Sequence, residues 1–90
     1  MDPRVKKAVM AKIDEAIASA PEMKQIQTSL KAVPGSQKDD FAFGIAIGRI
    51  YNSFHYQTRR IIERNATEEE FSEFLQILSK NAGRIREACQ

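Results

Sequence analysis

The sequence predicts an all-α fold: a small four-helix bundle with a long central helix and a C-terminal helix hairpin. Three observations carry this. Apolar residues recur three and four positions apart in four separate segments, the period of one helix face. Proline and Ser, Thr or Asp cap residues stand where most of those segments begin. Nowhere does an alternating apolar–polar run meet the turn dipeptides of a β-hairpin. At 90 residues the chain reads as a single helical domain, 1–90, with helices over about 3–18, 20–33, 40–64 and 68–82 or longer, and a loop over 34–39.

The first helix opens on Asp2-Pro3, an N-cap followed by proline at the first helical position. Val5, Val9, Ile13 and Ile17 follow four apart, with Ala8, Ala16 and Ala20 beside them. Ser19 and Glu22 have the spacing of a capping box, and Pro21 disfavours a straight continuation. A break or sharp kink is therefore expected near Ser19. Met23, Ile26, Leu30 and Val33 then give the apolar face of a second, short helix. The polar run Pro34-Gly35-Ser36-Gln37-Lys38-Asp39 has the punctuation of a loop.

The stretch from Phe41 to Asn65 is the one the others are arranged around. Asp39 and Asp40 are its candidate N-caps. Phe43, Ile47, Ile50, Phe54, Thr58 and Ile61 fall on one face, while Phe41, Ile45, Tyr51 and Ile62 lie off it. Its front end is thus apolar on nearly every side, which requires enclosure by the same chain or by a second copy. Gly44 and Gly48 each cost about 1 kcal/mol against alanine in a helix interior. Close approach of another helix would explain them, from this chain or from a twin. The expected interface is Phe41, Phe43, Gly44, Ile45, Ile47 and Gly48.

Asn65-Ala66 make a tight turn. Thr67 and Glu70 form a capping box, and Glu68 and Glu69 suit the positive end of the helix dipole. Phe71, Phe74, Leu75, Leu78, Ala82 and Ile85 then trace the last amphipathic helix, with Gly83 either ending or loosening it.

Composition narrows the functional classes. With 42% hydrophobic and 29% charged residues the chain is an ordinary globular one, and a net charge of +2 does not by itself call for a polyanion. A domain this small buries only about 60–70% of its unfolded surface, so dimerisation is a natural supplement. Arg49, Asn52, Ser53 and His55 interrupt the only apolar run, so no membrane span is expected. A charged N-terminal segment without an apolar stretch is not a signal peptide. The single cysteine, Cys89, fits a reducing compartment, and the expected location is the cytoplasm.

No reaction is written in the sequence. One His and one Cys do not make a zinc site, and Glu68, Glu69, Glu70 and Glu73 lack the Glu-x-x-His spacing that would join them to His55. Ser53 and His55 point to different sides of a helix. No glycine-rich loop matches a phosphate cradle. No catalytic residue, metal or cofactor is assigned, and a helical pocket around Tyr51, His55 and Arg59 would be needed for an enzyme. The most informative polar set is Arg49, Asn52, Tyr56, Arg59, Arg60 and Arg64, cations interleaved with a stacking ring and an amide, as in anion or nucleic-acid sites. The competing explanation is internal. Residues 41–65 carry +3 and residues 66–90 carry −2, so Arg59, Arg60 and Arg64 can neutralise the acidic turn. On the second helix, Lys24, Gln25, Gln27, Thr28 and Lys31 are groove-reading types, without the basic bias of a DNA-binding domain. The expected function is non-enzymatic protein association, with itself as a homodimer or with another protein. The alternative is nucleic-acid or anion binding by the arginine/tyrosine face.

Overall fold

A computed structural model describes residues 1–38 and 40–90. It forms four helices, α1 (Pro3–Ala18), α2 (Ala20–Ser29), α3 (Asp40–Ile62) and α4 (Glu68–Ala88), with no strand among the described residues. The all-α bundle expected from the periodicity is what forms.

α1 starts as its caps dictate. The Asp2 carboxylate accepts from the Arg4 backbone N–H at 2.7 Å, with Pro3 at the first helical position. The capping box expected at Ser19 and Glu22 does not form. Ser19 keeps φ −92° and ψ 4°, and its side chain makes no cap hydrogen bond. Its N–H instead bonds Glu15 O and its carbonyl accepts from Glu22 N, each at 2.9 Å. An N-cap hydroxyl needs extended backbone to reach back, and Ser19 is nearly helical. α1 and α2 therefore run end to end as one bent helix rather than folding back. Pro21 is tolerated because its missing N–H falls in the first turn of α2.

α2 ends at Ser29, short of the expected Val33. The cause lies downstream: the buried Ser36 hydroxyl sits against the carbonyls of Leu30 and Val33, 2.7 Å from the latter. Gly35 at φ +85° makes the turn that brings it there. Asp40 is the first residue of α3; the capping candidate Asp39 lies outside the described residues. α3 closes at Ile62 because Glu63 adopts φ 57°, the left-handed conformation that stops a helix. α4 passes through Gly83 without interruption.

α3 is antiparallel to α1 and α4, so α1 and α4 run parallel. Arg49 of α3 meets Glu15 at 2.8 Å, Asp40 meets Arg86 at 2.7 Å, and Asp14 meets Arg84 at 2.8 Å. The core joins Val5, Val9, Ile13 and Ala16 of α1 to Ala20, Met23, Phe74 and Ile85 from α2 and α4. The buried line of α3 is Ala42, Ala46, Ile50, Phe54 and Thr58. Its front half is thus one residue off the expected line through Phe43 and Ile47. Alanine lets α1 lie close against α3, and the bulkier pair moves to the flank, where the Arg86 guanidinium sits 4.6 Å over the Phe43 ring. The hairpin forms as expected but is spaced by rings, with Phe54 stacked on Phe74 at 4.5 Å. Thr58 is satisfied in the core by donating to Phe54 O at 2.8 Å.

The bent α1–α2 helix spans about 40 Å at 1.5 Å per residue. The molecule is accordingly elongated, 42 × 21 × 19 Å, with a radius of gyration of 14.1 Å against about 12 Å for a compact chain of this length. One end of the rod is built from α2, the front of α3 and the end of α4.

Candidate functional site

Two surfaces stand out, one apolar and one cationic. The apolar one lies at the α2 end. Phe41, Phe43, Ile45 and Ile47 are all half-buried, so the chain encloses the front of α3 only in part. The six expected interface residues do not share one face. Phe43 flanks α4, beneath Arg86, whereas Gly44 and Gly48 form an exposed ridge. A methyl group added at either glycine would meet nothing within 4 Å. Close packing inside the chain, one of the two explanations for the pair, is therefore overturned.

α2 departs furthest from the expected burial. Of its expected buried face only Met23 is buried. Ile26, Leu30 and Val33 are 45%, 37% and 52% exposed. The bend at Ser19 carries α2 past the core, and no other helix covers its outer flank. Lys24, Gln27 and Thr28 face the other way and line a cleft of about 530 Å³ with Gln37 and Cys89. Gln27 is further held by its own loop, its side-chain amide donating to Lys38 O at 3.3 Å. Three of the five groove-reading residues, Lys24, Gln27 and Thr28, are thus turned toward the chain itself. Cys89 is buried, and burial pushes its thiol up while Lys24 and Arg86 pull it down.

The cationic set divides. Arg64 is internal: it donates to both oxygens of Glu70 at 2.7 and 3.2 Å. Among the described residues neither Arg59 nor Arg60 pairs with a carboxylate; Arg60 reaches only Gln57 Oε1 at 3.4 Å. The acidic turn thus neutralises one of the three arginines expected to face it. Arg49, Asn52 and Tyr56 come together with Lys12, Ser53 and Gln57 around a shallow cleft of about 280 Å³ between α1 and α3. Ser53 and Gln57 follow Arg49 at four-residue steps, so the sequence alone places them on its face. Lys12 had no such signal, since only the antiparallel packing of α1 on α3 brings it there.

His55 lines neither cleft. It packs edge-on to Tyr51 at 4.8 Å and stacks on Phe71 at 6.1 Å, part of the aromatic spacer between α3 and α4. No helix among the described residues is long and apolar enough to cross a membrane. No protein-family model, curated protein or solved structure matches the chain.

Proposed function

We propose that this protein works by association, and that the partner at the α2 end is a second copy of the chain. The observation that carries the reading is the unpartnered stripe of Ile26 on α2 and of Leu30 and Val33 in the turns that follow it, residues whose spacing is patterned for burial. Gly44 and Gly48 support it: two helix-destabilising residues with open space above them suit the approach of an outside helix. A twin supplies both an apolar stripe and a glycine ridge, so a two-fold contact can use the same patch on each side. A cytoplasmic location goes with this reading, since the single cysteine has no second thiol with which to form an internal disulfide.

Sedimentation or size exclusion with light scattering tests the proposal. The wild type is expected to dimerise in the micromolar range, and Leu30→Glu to be monomeric with unchanged helicity. A wild type that stays monomeric at high micromolar concentration overturns it.

A further inference from the structure

Glu15 is held in an unusual way for a surface carboxylate. Its Oε1 accepts from Arg49 at 2.8 Å and from Lys12 Nζ at 3.2 Å, and its Oε2 accepts from the same Lys12 at 3.1 Å. The two cations come from different helices and converge on one anion. They are also the better-held partners: the Lys12 and Arg49 side chains are 24% and 34% exposed, the Glu15 side chain 50%. The cations are fixed by packing and the carboxylate reaches in from solvent.

The cleft beside this clamp contains no acid. Its walls are Lys12, Arg49, Asn52, Ser53, Tyr56 and Gln57. The oxygen of Gln57 accepts from Arg60, so the amide has its donors left to offer. Two cations and neutral donors facing a space whose counter-charge, Glu15, stands outside its walls describe a place for an oxyanion. Glu15 occupies part of that place from its edge.

We propose that the Lys12–Arg49 cleft binds the phosphate group of a small phosphomonoester, and that Glu15 is a built-in competitor which the ligand displaces. A phosphate dianion brings more charge and more acceptor oxygens to the same two cations than a carboxylate does. Asn52 and Ser53 are placed to complete its coordination, and the exposed Tyr56 ring flanks whatever the phosphate is attached to. The cleft is short and has a single pair of converging cations, which suits one phosphate group rather than the repeating charge of a strand. The cleft adjoins the glycine ridge, with Arg49 next to Gly48 and Asn52 one turn on, but it uses none of Ile26, Leu30 or Val33, so it can be titrated in the Leu30→Glu variant as well as in the wild type.

Titration of the full chain with orthophosphate and with adenosine monophosphate, followed by amide chemical shifts at fixed ionic strength, tests the assignment. Saturable shifts are expected at Lys12, Asn52 and Ser53, beyond those caused by chloride. Glu15→Gln should tighten the dissociation constant by roughly three- to tenfold, because two exposed ion pairs no longer compete. Arg49→Gln should weaken it at least as much; Lys12→Gln serves the same purpose should that variant fail to fold. Localised shifts strengthened by Glu15→Gln establish the site. Shifts no larger than with chloride, weaker binding in Glu15→Gln, or binding of a single-stranded oligonucleotide but not of the monoester overturns it.

Discussion

Glu70 does three jobs at the start of α4, and each follows from its position. Its carboxylate accepts from the Thr67 backbone N–H at 2.8 Å while its own N–H donates to Thr67 Oγ1 at 3.1 Å, which closes the capping box. It also accepts two hydrogen bonds from the Arg64 guanidinium, which donates a third to Asn65 O at 2.9 Å, locking the α3–α4 turn. The box was legible in the sequence because its chemistry spans only three residues. That Arg64 would choose Glu70 among four nearby glutamates was not, since the choice depends on the box holding this one carboxylate toward the turn. Arg64 first, and the Thr67 amide after it, hold the Glu70 carboxyl down at about 2 from its ordinary 4.5. A carboxyl depressed on folding contributes stability above its unfolded value and loses it as pH falls toward its folded value. Glu70→Gln keeps the acceptor but drops the charge. It should be less stable than wild type by about 1 kcal/mol near neutrality, a modest figure because the pair sits at the surface. The gap should close as pH falls from about 4.5 to about 2. Urea unfolding of both proteins at stepped pH reads this directly, and a gap that is constant across that range contradicts it.

Helix starts were easier to read than helix ends, for a physical reason. A start is set by side chains within one turn, as at Asp2-Pro3 and Thr67-Glu70. The end of α2 is set by Ser36, and the path of α2 by the bend at Ser19, so a face drawn through Ile26, Leu30 and Val33 looked buried without being so. The front of α3 slipped by one residue on similar grounds. Periodicity admits a line through Phe43 and Ile47 or one through Ala42 and Ala46, and only the approach of α1 decides between them. Within one chain a methyl group at Gly44, Gly48 or Gly83 meets nothing within 4 Å. Gly→Ala at each site should therefore stabilise the isolated fold by up to about 1 kcal/mol. Against a second copy the signs divide. Gly44→Ala and Gly48→Ala should weaken dimerisation while Gly83→Ala, on another helix, leaves it unchanged. Melting at low concentration and sedimentation at high concentration separate the two effects. If all three variants associate like wild type, the ridge is not a contact.

At the scale of the whole molecule, what could not be read from the sequence is what the antiparallel bundle brings together from far apart. Lys12 and Glu15 meet Arg49 only because α1 lies along α3, and Arg84 meets Asp14 only because α4 runs parallel to α1. The sequence did carry the essential imbalance: more apolar pattern than 90 residues can enclose. The elongated shape sharpens that imbalance, because a rod has more surface per residue than a sphere and leaves its end, here α2, without a covering layer. The consequence is thermodynamic. If two copies cover each other's α2 ends, the native state is a dimer and its stability rises with concentration by mass action. Each tenfold increase then adds about 1.4 kcal/mol per mole of dimer. For subunits of this length that raises the melting temperature by several degrees, given about 4–8 °C per kcal/mol in domains of this size. Leu30→Glu places a charge in the middle of the stripe, where burying it unpaired is costly, so its melting temperature should not depend on concentration. At the lowest concentrations it should lie only a few degrees below that of wild type, because Leu30 is 37% exposed and the single chain loses only its partial burial. Calorimetry or circular dichroism across a hundredfold concentration range tests both halves. A flat wild-type series removes the dimer. A Leu30→Glu variant that melts well below wild type even when dilute would mean that Leu30 stabilises its own chain, and the exposed stripe would lose its meaning as a docking surface.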